Sequence, residues 1–211
     1  PRKLANAFNQ FFVSIGSELA AQFTSIESTF HDRPEIIHNS FTFDNIEEDF
    51  VLKKLQAIQI DKATGLDGMS ARLLKLAAPI ISKPITELFN LSLRLGVIPQ
   101  EWKQARVTPI HKGGDKDSVN NYRPISVIPT IMKVLEKAVH TQLHDYLVKF
   151  DLLTPLQSGF RKGFSTNTVL TYVSDYLYRN MDTGKLTGLV FLDIRKAFDS
   201  VDHCLLLDKL H

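Results

Sequence analysis

The segment GLVFLDIRKAFDSVDH, residues 188–203, holds the side chains best placed for chemistry. Asp193 follows an apolar run, where a carboxylate stands on scaffold at a partly dry surface. Burying it unpaired is costly, so it calls for a cation or a strong donor. A divalent metal is one answer, because magnesium takes one or two carboxylates and leaves the rest of its shell to phosphate oxygens. One carboxylate cannot hold two metals, so a second acidic group must come from elsewhere. A structural aspartate capping the turn after a strand fits the same pattern, and the pattern alone leaves both open. Asp199 and Asp202 lie close by in sequence, but both suit the start of the helix that carries Leu205, Leu206 and Leu210. His203 and Cys204 have no second pair at zinc spacing.

Further basic residues sit in two glycine-bearing or turn-rich loops. Lys112 sits in HKGGDKDS and Arg123 in NNYRPIS. A solvated loop of mixed charge is one reading of both. Gly159 and Arg161 lie in QSGFRKGFST, where glycine permits close backbone approach and Arg161 and Lys162 equally fit ordinary surface charges. HKGGDK and GFRKGFST mimic a phosphate loop, but neither fits G-x-x-x-x-G-K-[ST]. Asn90-Leu91-Ser92 is a formal glycosylation sequon inside an expected helix, and we expect it to be unused.

The elements that must position these groups follow from periodicity. Apolar residues at Phe8, Phe11, Phe12, Ile15 and Leu19 predict a helix over 4–23. Residues 24–43 lose the period and suit a linker, so the main body is expected from about Phe43. A helix is expected from Asp44, with Asp44 and Glu47 in its first turn and Ile46, Phe50, Leu52 and Leu55 near one face. Asp67 is expected to cap a helix carrying Leu73, Leu74 and Leu76. Pro79 and Pro84 should break or restart it, and a further helix should span 85–95, ended by Gly96 and Pro99. Residues 105–111 alternate as a strand does, with Pro109 implying an edge or a break in the ladder. ISVIP is a short apolar stretch. A helix over 130–148 has Ile131, Leu135, Val139, Leu143 and Leu147 one turn apart. Another over 166–179 begins at Ser165 or Thr166 and aligns Val169, Val173 and Leu177. The apolar run 186–192 suits a buried strand ending at Asp193.

Composition sets the bounds. The chain has 211 residues, 44% hydrophobic and 23% charged, which excludes collagen-like, low-complexity and wholly disordered classes. A net charge of +2 means that any nucleic-acid partner must be read from local patches. One cysteine excludes a disulfide scaffold. No apolar run reaches the about 20 residues that a membrane helix needs. The chain starts at Pro1 and stops at His211 within an apolar-periodic stretch, which reads as a piece of a longer polypeptide.

Four blocks together resemble one family. FLDIRKAFDSV resembles motif A of reverse transcriptases, most closely those of non-LTR (LINE-like or jockey-like) retrotransposons. Residues 102–126, WKQARVTPIHKGGDKDSVNNYRPIS, resemble their fingers block. Residues 157–166, QSGFRKGFST, resemble the Q-x-GFR element, and residues 62–75, KATGLDGMSARLLK, the block before the fingers. The opening NAFNQFFVSIG is similar to the segment joining endonuclease to polymerase in these elements.

The resemblance implies an α+β, right-hand polymerase fold of fingers and partial palm, helix-rich with a small, incomplete antiparallel sheet. It divides the chain into a connector-like appendage and linker over 1–43 and a polymerase portion over 44–211. It implies templated nucleotidyl transfer with two Mg2+ ions, an RNA template, a DNA primer, deoxynucleoside triphosphates and no membrane. Asp193 would be the catalytic and metal-binding carboxylate, aided by the Ile194 backbone carbonyl. Backbone N–H groups of Lys196 and Ala197 would meet the triphosphate, with Lys112 and Arg123 balancing its charge. Phe198 would exclude the ribose 2′-hydroxyl. Gln157, Gly159 and Arg161 would lie along the template. The family's Tyr-x-Asp-Asp motif does not occur in these residues, and primer grip and thumb are missing too. The chain alone is therefore expected not to polymerise. A non-catalytic remnant binding nucleic acid or a partner is the alternative, using basic residues in 103–123 with Arg161, Lys162, Arg195 and Lys196. An intron-type maturase fits less well, given the connector-like opening and the lack of an intron-type insertion.

Overall fold

In the computed structural model, the described residues are 2–20, 40–194, 196–198 and 200–210. They form a helix-rich α+β structure whose one sheet is a two-stranded antiparallel hairpin. Two compact units emerge: Pro1–His144 with Val201–His211, and Asp145–Ser200. The expected linker falls mostly on residues 21–39, outside the described set, as do Arg195 and Asp199.

The core of the first unit is built from three helices. α2 spans Glu48–Gln56, α3 Ala71–Leu95 and α5 Thr130–Lys149. Val51 and Leu55 of α2, Leu74, Ala78, Ile85 and Phe89 of α3, and Ile131, Val134, Leu135 and Ala138 of α5 form one apolar cluster with Ile46. Trp102, on the short helix α4 (Gln100–Lys103), meets the Phe89 ring edge-on at 5.6 Å. α5 agrees with its expected span, yet its buried face runs through Val134 and Ala138 rather than Leu143 and Leu147, which are half-buried.

α2 begins later than its periodicity suggests. Glu47 is its N-cap and Glu48 and Asp49 occupy the first turn. Residues 44–46 stay outside the helix, where two side-chain amides satisfy their backbone. Gln142 accepts from the Asp44 N–H at 2.9 Å and donates to its carbonyl at 3.0 Å. Asn90 does the same for Ile46, at 2.7 and 2.9 Å. Each amide presents a donor and an acceptor, as a neighbouring strand would. The sequon asparagine is thus held within α3 by a structural task.

α3 overturns the expectation of a break. It runs unbroken through Pro79 and Pro84. Each proline removes one intrahelical hydrogen bond, and each stands at an exposed position. The carbonyls released belong to Lys75 and Ile80, also exposed, so solvent can satisfy them. The opposite face is buried along its length and outweighs the local loss. The cap is Ser70, whose hydroxyl accepts from the Leu73 N–H at 3.2 Å. Asp67 instead accepts from Met69 N–H within the preceding loop. Gly96 ends the helix in the left-handed region at φ 65, with the Val97 N–H returning to the Ser92 carbonyl at 3.1 Å.

β1 (Arg106–His111) and β2 (Tyr122–Val127) form the hairpin, with Pro109 opposite Pro124. The Lys112 N–H donates to the Asn121 carbonyl at 2.8 Å. Alternation along the ladder then places the two prolines where no cross-strand bond runs. Both strands are edges, so the expected edge placement of Pro109 holds. α1 (Arg2–Ala20) brings Phe8 against Tyr122, ring centroids 4.8 Å apart. α7 (His203–Leu210) is capped by Asp202, which accepts from Cys204 and Leu205 N–H groups at 2.8 and 3.0 Å.

The second unit holds α6 (Thr166–Asp182), which Ser165 starts through a reciprocal capping box with Thr168. α6 has no fully buried residue. Residues 186–192 do not form the expected strand; they run as irregular, exposed chain. A strand needs a hydrogen-bonding neighbour, and none pairs with this run among the described residues. Apolar periodicity reports what a segment would bury, not whether a partner edge is present. Among the described residues, no helix is long and apolar enough to cross a membrane.

Candidate functional site

The hairpin fixes the first group of site residues. His111 and Tyr122 are opposite one another, their rings 5.1 Å apart, on the face that receives Phe8. The His111 Nε2 is buried there with no hydrogen-bond partner. Because side chains alternate faces, Lys112 and Arg123 share the other face as diagonal neighbours, positions that lie roughly 7–8 Å apart. Both are exposed. The sequence offered the two cations separately, and only the register brings them to one surface.

The ten residues between the strands form an ordered loop. Gly113 and Gly114 take positive φ of 114 and 81. Asn121 donates to the Asp115 carbonyl at 2.8 Å, and Tyr122 Oη to the Lys116 carbonyl at 3.0 Å. Asp115 accepts from the Asp117 N–H at 2.9 Å. These bonds hold the loop that carries Lys112 without engaging its ammonium group.

The hairpin is in turn anchored by the loop before α3. Arg106 donates to the Thr64 carbonyl at 2.7 Å. Gly65 packs against the backbone just before α5; a Cβ on it would stand 2.9 Å from Pro129 Cα. The chemistry-poor block KATGLDG therefore braces the strand that leads to Lys112.

The remaining site residues belong to the second unit. Asp193 is exposed at the end of the irregular run, and Ile194 beside it is exposed as well. Lys196 adopts the left-handed conformation at φ 51, and its carbonyl accepts from Ser200 N–H at 3.1 Å in the turn that follows. Ala197 is exposed, and its carbonyl accepts from Ser200 Oγ. Phe198 is 80% exposed, so it is not a core residue.

In the Q-x-GFR element the polar side chains turn onto their own loop. Gln157 donates to the Gly159 carbonyl at 3.0 Å. Arg161 donates to the Thr154 carbonyl at 2.9 Å and stacks over the Phe164 ring at 4.8 Å. Gly159 has open space where a side chain would be. Phe160, which sequence reasoning passed over, is at φ 61, and its ring meets Phe198 edge-on at 6.1 Å. No signal in the sequence marks that contact, because a positive φ at a non-glycine residue has no compositional signature.

Among the described residues, no group of three or more His, Cys, Asp or Glu side chains could hold an ion. Asp193 is one carboxylate, and the described residues do not make up a complete two-metal site.

Comparison with known proteins gives a consistent result. Residues 110–211 match the family model described as reverse transcriptase (RNA-dependent DNA polymerase). The chain is 28% identical to the "Probable RNA-directed DNA polymerase from transposon BS" of Drosophila melanogaster, over 76% of this chain and 18% of that protein. It is 33% identical to the "Probable RNA-directed DNA polymerase from transposon X-element" of the same organism, over 68% of this chain and 16% of the relative. It is 31% identical to the "RNA-directed DNA polymerase from mobile element jockey", also of Drosophila melanogaster, over 72% of this chain and 17% of the relative. The chain spans less than a fifth of the length of these curated relatives.

Proposed function

We propose a function from one premise: residues 110–211 belong to the reverse transcriptase family, and the chain is a non-LTR retrotransposon reverse transcriptase segment. The function is RNA-directed DNA synthesis, to which this segment contributes fingers and the first part of the palm. The observation that carries the reading is the family match, which runs unbroken from the hairpin's His-Lys through motif A.

Each residue has a definite task in this reading. Lys112 and Arg123, on one face of the hairpin, offset the negative charge of an incoming deoxynucleoside triphosphate. The arginine fork grips two oxygens, while the ammonium acts as a point charge. Phe198 presents a rigid ring that leaves no room for a ribose 2′-oxygen and offers it no hydrogen bond. Backbone N–H groups of Lys196 and Ala197 receive phosphate oxygens, in a turn whose left-handed residue orients successive amides. Gln157 and Arg161 stiffen the Q-x-GFR loop for a template strand to lie on, with Gly159 leaving its backbone approachable. Watson–Crick pairing with an RNA template chooses the base, and a DNA primer supplies the 3′-hydroxyl.

The family uses divalent metal ions, and two Mg2+ would activate the attacking hydroxyl and stabilise the leaving oxygens. In this chain Asp193 and the Ile194 carbonyl would hold part of that pair. The remaining carboxylates belong to a Tyr-x-Asp-Asp motif that these 211 residues lack.

The test uses the purified chain with dCTP and a primed RNA template in magnesium. We expect saturable dCTP binding that weakens in Lys112→Ala and Arg123→Ala, and no Asp193-dependent primer extension. Salt-dependent nucleic-acid binding with no nucleotide binding would refute the reading and favour the non-catalytic remnant.

A further inference from the structure

Two exposed aromatic rings meet in the second unit for no reason of core burial. Phe160 is 88% exposed and Phe198 80% exposed, yet their centroids stand 6.1 Å apart with the planes at 85°. That is the edge-to-face geometry aromatic pairs prefer. The backbone at one of the two residues is unusual as well. Phe160 holds φ 61, a conformation that is a genuine outlier for a bulky side chain. Glycine would adopt it freely, and Gly159 stands next door in ordinary φ. The strained residue is the one that carries the ring. Strain of this kind persists where the surrounding structure fixes it, and it points to a task at that position.

The loop around Phe160 is locked from both sides. Arg161 ties it to the Thr154 carbonyl and, at 3.4 Å, to the Gln157 carbonyl. Gln157 closes onto the Gly159 carbonyl. The Arg161 guanidinium also lies over Phe164. These contacts fix the backbone that carries Phe160. By contrast, the run leading to Phe198 has no ladder, and its neighbours Phe191, Leu192 and Ile194 are exposed. A ring on such a segment samples several rotamers unless something stands against it, and a ring that swings aside excludes nothing.

We propose that Phe160 is a positioning residue for sugar selection: its ring, held by the left-handed backbone, fixes the Phe198 ring in the orientation that rejects a 2′-hydroxyl. This rests on the sugar-discriminating role given to Phe198 above and adds the element that makes that role rigid. The class of ligand is a nucleoside triphosphate, and the property controlled is deoxyribose over ribose. Both side chains are mostly exposed, so replacing them leaves the apolar core intact.

The experiment measures dCTP and CTP affinity for the 211-residue chain in magnesium, by saturation-transfer NMR, with thermal unfolding alongside. The wild type should favour dCTP. Phe198→Val should collapse the preference. Phe160→Gly should lower it by a similar factor, roughly two- to tenfold for one aromatic pair, and the double variant should lose no more than either alone. Phe160→Tyr keeps the ring and should keep the preference. Phe160→Gly also relieves the strained φ, so its unfolding midpoint should stay level or rise while selectivity falls. A purely structural role would do the reverse. If Phe198→Val leaves the ratio unchanged, or neither nucleotide binds, the parent reading falls and takes this one with it. If Phe198→Val collapses the ratio and Phe160→Gly does not, only the positioning role is overturned.

Discussion

Gly65→Ala should be among the most damaging conservative changes in the chain, although it adds a single methyl group. The new Cβ would stand 2.9 Å from both Pro129 Cα and N, and 3.0 Å from the Ile128 carbonyl carbon. Carbon atoms sit comfortably at about 3.5–4.0 Å, so the intrusion is roughly half an ångström or more. The atoms met are backbone, so no rotamer change relieves the clash. Retreat of Pro129 would drag the buried Thr130 and Ile131 at the start of α5. Overpacking costs about 1–3 kcal/mol, and the rigid partner argues for the upper half. That corresponds to a fall in melting temperature of about 4–12 °C. Gly68→Ala is the control: it has φ +68 and nothing within 4 Å. Its penalty of about 1 kcal/mol is conformational, so Gly68→Asn should recover part of it. Gly65→Asn should be worse than Gly65→Ala. Urea midpoints for the four variants, at constant m, check the argument. The same loop receives Arg106, so Gly65→Ala should weaken triphosphate binding in parallel. An unchanged midpoint for Gly65→Ala, or a milder Gly65→Asn, would refute the steric reasoning.

Asn90→Ala leaves the Ile46 N–H and carbonyl without their amide partner in a partly buried place, and should cost about 1–3 kcal/mol by chemical denaturation. Arg123→Lys keeps the charge but loses the planar fork, so it should recover only part of the affinity lost in Arg123→Ala when triphosphate binding is compared. Partial burial holds the Glu136 carboxyl above its ordinary value, with Lys133 partly opposing. A raised carboxyl pKa means that the folded state holds more proton than the unfolded one just above the ordinary value of 4.5, so this group's contribution falls as pH rises there. Glu136→Gln should therefore gain stability relative to wild type more at pH 7 than at pH 4, read from urea midpoints at both.

Much of the architecture was legible before any coordinates. α1, α5, α6 and α7 announced themselves through period and caps, and Gly96 and Pro109 did what their backbone chemistry dictates. The failures share a cause. Pro79 and Pro84 read as breaks because their local cost is plain, whereas the buried face that outweighs it is set by α2 and α5. Residues 44–46 read as helix because the amides of Asn90 and Gln142 that bond their backbone instead lie far along the chain. The run 186–192 read as a strand on composition, but a ladder needs a second edge. For the site, motif resemblance supplied residues singly. The common face of Lys112 and Arg123 came from hairpin register, and the contact of Phe160 with Phe198 joins residues 38 positions apart that no motif relates.

The two prolines in α3 also bear on how the first unit assembles. Each costs about 3 kcal/mol in a helix interior, so propagation stalls twice within the segment. Excised as a peptide, residues 71–95 should be mostly coil. Their winding has to await docking against α2 and α5, which makes secondary and tertiary structure here a single concerted event rather than successive stages.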